Sequence, residues 1–446
     1  MRRFSLLLLV TALCSLTVSA QENSLGNIFS GKYAIKVQPF TGSYLDQNSH
    51  FDKFRPFAPK GLNLGLELPS SQQLPWQQYL GNPTVGVGMS LFDFGHEMVG
   101  KCVSMYPYIL IPVVRNNYFD LNFKVAAGLG VVTEHWYTQE DQDPDHYYDA
   151  TTNSIFGCYL NAYLNAGVNL SVPITRSVAL NGEFGYFHMS NGRTCMPNIG
   201  ANVIYGGVGV TTTINSNVEK TPIHFADLPY GWSINITGAV GGHKSAIADP
   251  NRFFISSFHT GAVYNVTNWY SVGPGFDIFY NGAVTAFTDR GLYCKGYLEL
   301  ENGIVDCKSC DGEYTTSDKI RAGIALNNEF KFGLLTAIVD WGIYLRNPSR
   351  NYYYDYHIMN SETGCDGDRP LFYKSSGASG EEAFHYIRFG LKTRVWDNFY
   401  LHASAKTHLH ICEYVEFGMG YQIPFLKKSH RKPGKSIIYH HRDGLL

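Results

Sequence analysis

The chain is poor in charge and, past its first twenty residues, has no long apolar run. Only 16% of its 446 residues are Asp, Glu, Lys or Arg. Beyond residue 20 no stretch approaches the roughly 18 apolar residues that a membrane-crossing helix requires, which excludes insertion as helices. The formal net charge of -2 offers no basic surplus, so no nucleic-acid partner is expected. The 45 Gly, 31 Tyr and 28 Phe suit strands with aromatic girdles better than helices. A mean hydropathy of -0.15 is no obstacle, because a barrel strand is apolar on one face only.

The first residues have the three-part pattern of a cleaved secretory signal: Arg2 and Arg3, the apolar run from Leu6 to Leu13, then Val18-Ser19-Ala20. Residues 1–20 are therefore expected to be removed. Cys14 is preceded by Leu13, where lipoprotein processing wants a small residue. At the other end, residues 426–446 are rich in Lys, Arg and His and carry Pro433 and Gly434, which reads as a solvated periplasmic tail. Export also bears on Cys294, Cys307, Cys310 and Cys365, which fall in polar segments. Outside the cytoplasm they are expected in disulfides, with Cys307-Lys-Ser-Cys310 a loop staple rather than half of a metal site.

Strand-like alternation covers the rest. From 121 to 131 the odd positions are Leu121, Phe123, Val125, Ala127, Leu129 and Val131, against Asn122, Lys124, Ala126, Gly128 and Gly130. From 385 to 395 Ile387, Phe389, Leu391, Thr393 and Val395 alternate with Tyr386, Arg388, Gly390, Lys392 and Arg394. One apolar and one polar parity is what a wall between lipid and a wet lumen demands. Pro274, inside the alternating segment 270–280, lacks a ladder donor and predicts a bulge.

This pattern gives an all-β chain of about sixteen antiparallel transmembrane strands. Short turns at Arg115–Tyr118, Val172–Ser177, Val266–Asn268, Phe332-Gly333 and Trp396–Asn398 alternate with long polar segments at 42–60, 133–153, 282–317 and 347–383. Short periplasmic and long extracellular connections are the habit of bacterial outer-membrane barrels, which sets the expected location. Residues 30–214 and 230–425 form two halves joined by 215–229, which carries Pro222 and Pro229. One barrel made by duplication is favoured over two tandem eight-stranded barrels.

One segment carries chemistry. In the strand from Arg176 to Ser190 the even residues Val178, Leu180, Gly182, Phe184 and Tyr186 form the lipid-facing stripe, and His188 and Ser190 continue it at the outer end. Asn202 begins the next strand on the parity of Ile204, Val208 and Val210. Residues i and i+2 on one face lie ~6.5–7 Å apart at Cα, within side-chain reach. A serine becomes a nucleophile when a base takes its proton, and a third residue must orient the imidazole. Candidate oxyanion donors are the backbone amides near Asn191 and Gly192 or the Asn191 side chain.

His188-Met189-Ser190-Asn191-Gly192, followed by Pro197-Asn198-Ile199-Gly200 and an alternating strand, resembles the lipid A 3-O-deacylases of the PagL type, over roughly residues 30–214. The resemblance implies a small outer-membrane barrel that hydrolyses an ester-linked hydroxyacyl chain on lipid A of lipopolysaccharide, with His188 as base, Ser190 as nucleophile and no required cofactor. The family's acidic third member falls at about Asn202. An amide orients an imidazole but does not neutralise its charge, although Cys-His-Asn sites work with one. Glu183 is on the lumen-facing parity.

Three other features have competing readings. His402-Ala403-Ser404 repeats the spacing, but on the polar parity with Lys406 and His408, so it is expected to line the lumen with Glu416 as an ion-pair partner. The acidic run from Glu140 to Asp145 reads as a solvated loop ahead of a divalent-cation site. The row Arg388, Lys392, Arg394 leaves a channel or uptake barrel as the alternative function, and an inactive structural barrel as a third.

Overall fold

The computed structural model describes residues 32–45, 57–71, 75–136, 153–214, 229–244, 252–267, 269–285, 298–301, 304–307, 316–332, 335–348, 384–396, 398–408 and 411–428. The signal, most of the joining segment, the acidic run, the tail past 428, Cys294, Cys310 and Cys365 lie outside these residues.

The chain closes twice. Strands β1 (Tyr33–Tyr44), β2 (Lys60–Pro69), β3 (Thr84–Asp93), β4 (Lys101–Arg115), β5 (Asp120–Val132), β6 (Leu160–Pro173), β7 (Val178–Ser190) and β8 (Ala201–Ile214) form one antiparallel barrel. A second is built from β9 (Pro229–His243), β10 (Phe253–Asn265), β11 (Tyr270–Asn281), β14 (Ile320–Phe332), β15 (Leu335–Arg346), β16 (His385–Trp396), β17 (Phe399–His408) and β18 (Ile411–Lys428). The short β12 (Leu298–Glu301) and β13 (Ile304–Cys307) pair only with each other. The single sixteen-stranded barrel favoured from the sequence is therefore incorrect, and the tandem arrangement holds. Closure is sealed by β1 against β8, with Val37 opposite Val210, and by β9 against β18, with Thr237 opposite Gly420.

The lumens explain why each half closes on itself. An eight-stranded barrel is just wide enough for its interior to be filled by side chains. In the first barrel Glu183 takes Lys36 at 2.5 Å and Lys124 at 2.7 Å, and accepts a hydrogen bond from the Tyr205 hydroxyl at 2.6 Å. In the second, Arg388 pairs with Asp277 at 2.6 Å and Asp340 at 3.3 Å, Lys392 with Glu329 at 2.6 Å, and Glu413 with Arg321 at 2.5 Å and Lys406 at 2.6 Å. These buried charges find their counter-charges within their own half, as burial requires. Arg388 and Lys392 thus line a packed, ion-paired interior rather than the wet lumen expected of a channel.

Outside, the alternation holds. Phe123, Val125, Leu129 and Val131 are exposed while Asn122, Lys124 and Ala126 are buried. Phe389, Leu391 and Val395 are exposed above buried Arg388. Pro274 causes no register shift: it sits opposite Leu326 on β14, and its missing donor shows only as a gap in pairing toward β10 between Gly261 and Tyr264. Register shifts occur elsewhere, among them one at Leu345 of β15, which is skipped where Ala322 and Gly323 of β14 pair with Arg346 and Tyr344.

The barrels touch at both ends. The connection after β2 carries the short helix α1 (Pro75–Tyr79), whose Trp76 meets Phe332 of β14 edge-on at 6.3 Å. At the long-loop end, Lys244 donates its backbone N–H to the Arg193 carbonyl at 2.9 Å, and the Arg252 guanidinium donates to the Cys195 sulfur at 3.2 Å.

Candidate active site

The site forms where β7 reaches the long-loop end. Phe187 and Met189 point into the core of the first barrel, so His188 and Ser190 fall on the opposite parity, in line with exposed Leu180 and Phe184. Pairing places His188 opposite Asn202 on β8, and opposite Leu164 on β6.

The three polar side chains meet. His188 Nε2 lies 2.9 Å from Ser190 Oγ, and His188 Nδ1 lies 2.7 Å from Asn202 Oδ1. The Tyr186 hydroxyl donates to the same Asn202 oxygen. An amide oxygen only accepts, so Nδ1 carries the proton and Nε2 presents its lone pair to the serine hydroxyl. This is the tautomer a general base needs. Tyr186 was missed from sequence, where it looked like one more residue of the apolar stripe. Its place two residues before His188 on the same face was the available signal.

Ser190 is 7% exposed and Asn202 3%, against 64% for Phe184 on the same stripe. The two are thus covered, not open on the lipid face as expected. Over Ser190 the loop 191–200 folds back. It is tied to the segment before β6 by the Ile199 N–H to the Ser154 carbonyl at 3.1 Å and the Gly200 N–H to the Ile155 carbonyl at 3.0 Å. Gly200 has φ +77, and a Cβ there would sit 3.1 Å from both His188 Cε1 and Ser190 Cβ. Only glycine gives both the backbone turn and the space.

Of the expected oxyanion donors, the Asn191 backbone N–H is occupied: it donates to Asn198 Oδ1 at 2.9 Å. The Asn191 side-chain oxygen accepts from the Cys195 N–H at 3.2 Å, which leaves Asn191 Nδ2 buried without a hydrogen-bond partner. Gly192 has φ +61 and packs against the second barrel, its Cβ position only 2.4 Å from Val415 Cγ2.

Other carboxylates and the second His-Ser pair stay apart from the site. Glu183 is committed to Lys36 and Lys124 in the lumen. His402 Nε2 is 2.9 Å from Ser404 Oγ, but both are buried inside the second barrel and His402 Nδ1 has no partner to orient it. Ser404 donates to Glu416 at 2.9 Å, and the ion-pair partner of Glu416 is Arg388 at 3.5 Å rather than His402.

Residues 60–211 match the family model of lipid A 3-O-deacylase (PagL), and residues 232–359 and 371–426 match that of the acyloxyacyl hydrolase C-terminal domain. No curated protein matches the chain. Among solved structures, the outer-membrane enzyme PagL aligns at 15% identity over 40% of this chain and 98% of its own, with a TM-score of 0.25. A Rhodopseudomonas blastica porin mutant aligns at 10% identity over 88% of this chain and 100% of its own, with a TM-score of 0.18. CdiB from Acinetobacter baumannii aligns at 11% identity over 88% and 60%, with a TM-score of 0.17.

Proposed function

We propose, from the match of residues 60–211 to the lipid A 3-O-deacylase family model, that the first barrel is a serine esterase of the bacterial outer membrane that removes an ester-linked hydroxyacyl chain from lipid A of lipopolysaccharide. The observation that carries this reading is the relay Ser190–His188–Asn202, with its two contacts of 2.9 and 2.7 Å at the long-loop end of the wall. The band of exposed apolar side chains around both barrels, among them Val87, Met105, Val125, Ile324 and Phe417, supports a lipid surrounding.

Ser190 Oγ attacks the ester carbonyl while His188 Nε2 takes its proton. Asn202, held by Tyr186, keeps the Nδ1–H in place and the imidazole aimed at the serine. The unpartnered Asn191 Nδ2 is the donor best suited to meet the oxyanion. His188 then returns its proton to the departing sugar oxygen, and a water activated by the same nitrogen releases the hydroxyacid from Ser190.

Asn202 lacks a negative charge, so the imidazolium formed in the first step is stabilised by its oriented carbonyl dipole alone. A working but slowed site follows. The ion-paired interiors favour this reading over the channel alternative, because an eight-stranded barrel is just wide enough for side chains to fill it.

A phosphonate ester bearing a fatty chain tests the serine chemistry. It should attach to Ser190 in the wild-type protein and not in His188→Ala. Labelling that persists without His188, or that maps to Ser404, would refute the assignment.

A further inference from the structure

The loop over the site holds a pair of cysteines that the hydrolysis does not use. Cys195 belongs to the loop 191–200, and Cys158 to the segment that leads into β6. Their backbones are in close contact: a Cβ on Gly157 would meet the Cys195 carbonyl carbon and oxygen at 2.9 Å and the Pro197 oxygen at 2.5 Å. The two thiols share a hydrogen bond, and Cys158 Sγ also lies 3.3 Å from the Leu160 carbonyl oxygen. On its far side the Cys195 sulfur accepts from Arg252 of the second barrel at 3.2 Å.

We propose that Cys158 and Cys195 form a disulfide that latches the site loop to the segment before β6. The proposal does not depend on the hydrolase reading. The surroundings favour reaction. The hydrogen bond from Cys158 and the Arg252 guanidinium together hold the Cys195 thiol below its usual range, which favours the thiolate, the form that attacks a disulfide. Cys158 is pushed in the other direction, chiefly because it donates to that thiolate.

The oxidant is an external protein disulfide of the kind that oxidises exported chains. One of the two thiols attacks it as thiolate, giving a mixed disulfide and releasing one oxidant sulfur. The other thiol loses its proton, attacks the mixed disulfide and expels the second oxidant sulfur. The net change oxidises two thiols to one S–S bond and reduces the oxidant disulfide to two thiols, the two protons passing to the released sulfurs.

Cys102 and Cys412 provide internal controls. Cys102 has Met189 as its sulfur neighbour at 3.8 Å, and Cys412 contacts the Tyr414 carbonyl at 3.6 Å.

The test uses the full chain isolated from outer membranes without reductant, denatured in excess maleimide, digested and read by peptide mass spectrometry. Peptides holding Cys158 and Cys195 should appear joined and take up maleimide only after reduction, while Cys102 and Cys412 should be alkylated at once. Alkylation of both Cys158 and Cys195 without reduction, or either one joined to a different cysteine, would overturn the proposal. The latch is read separately in the folded protein: trypsin should cut after Arg193 faster once the protein is reduced, and equal rates would contradict it. Both readouts are independent of esterase activity, so an inactive protein would sink the proposed function and leave this inference intact.

Discussion

His188 and Asn202 face each other across the β7–β8 ladder, and the imidazole gives its Nδ1 proton to the amide oxygen at 2.7 Å. This contact decides which imidazole nitrogen is free to act as base, so Asn202 is the position where chemistry and orientation separate. Replacement by Leu removes the acceptor, frees the wrong tautomer and should lower kcat by about 10²–10⁴-fold. Replacement by Asp or Glu restores an acceptor and adds the charge that stabilises the imidazolium, so activity should hold or rise. Steady-state kinetics on an acyl ester substrate check both, and a Leu variant as active as wild type would remove Asn202 from the relay.

Tyr186 anchors the same oxygen from the other side. Tyr186→Phe deletes one neutral hydrogen bond, worth about 0.5–1.5 kcal/mol, and should slow turnover by roughly 2- to 12-fold with KM little changed. A loss seen only in KM would mean that the tyrosine contacts substrate rather than positioning Asn202.

Gly200 tests the roof of the site. With φ +77 and a Cβ position 3.1 Å from both His188 and Ser190, Gly200→Ala should displace that pair while the barrel still folds. Activity should fall with the heat-modifiable gel shift of a folded barrel retained. An active Gly200→Ala protein would show that the loop yields without disturbing the relay.

Glu183 holds the first lumen together. Glu183→Ala leaves Lys36 and Lys124 buried without their shared counter-charge, which typically costs about 3–5 kcal/mol. Urea unfolding of the refolded barrel should show the loss. Lys36→Met combined with Glu183→Gln should recover part of it, since the pair is then neutral, with Lys124 the remaining charge. Stability unchanged in Glu183→Ala would mean that water enters the lumen. The same packing predicts no single-channel conductance in planar bilayers.

Much of this is legible in the sequence. Period-2 alternation is enforced along the whole wall, because each residue must face either lipid or lumen, and it placed His188, Ser190 and Asn202 on one face. Closure was not legible. A strand's pattern is the same whether its far neighbour is β1 or β18, and only the matching of Glu183 to Lys36 or of Arg388 to Asp277 shows that each half balances itself. The burial of Ser190 was hidden for a related reason: the loop 191–200 folds back over it, through contacts of Asn198 and Gly200 that alternation does not encode.

The central claim is that Ser190, activated by His188, removes an acyl chain from lipid A. Its most direct test is the mass spectrum of lipid A extracted from cells with hexa-acylated lipid A that express the protein. Wild type should give a species lighter by one hydroxyacyl chain, Ser190→Ala and His188→Ala should each abolish it with the barrel still folded, and His402→Ala and Ser404→Ala should leave it in place. An unchanged lipid A profile with wild type across several acylation backgrounds, or a mass loss that survives Ser190→Ala, would contradict it.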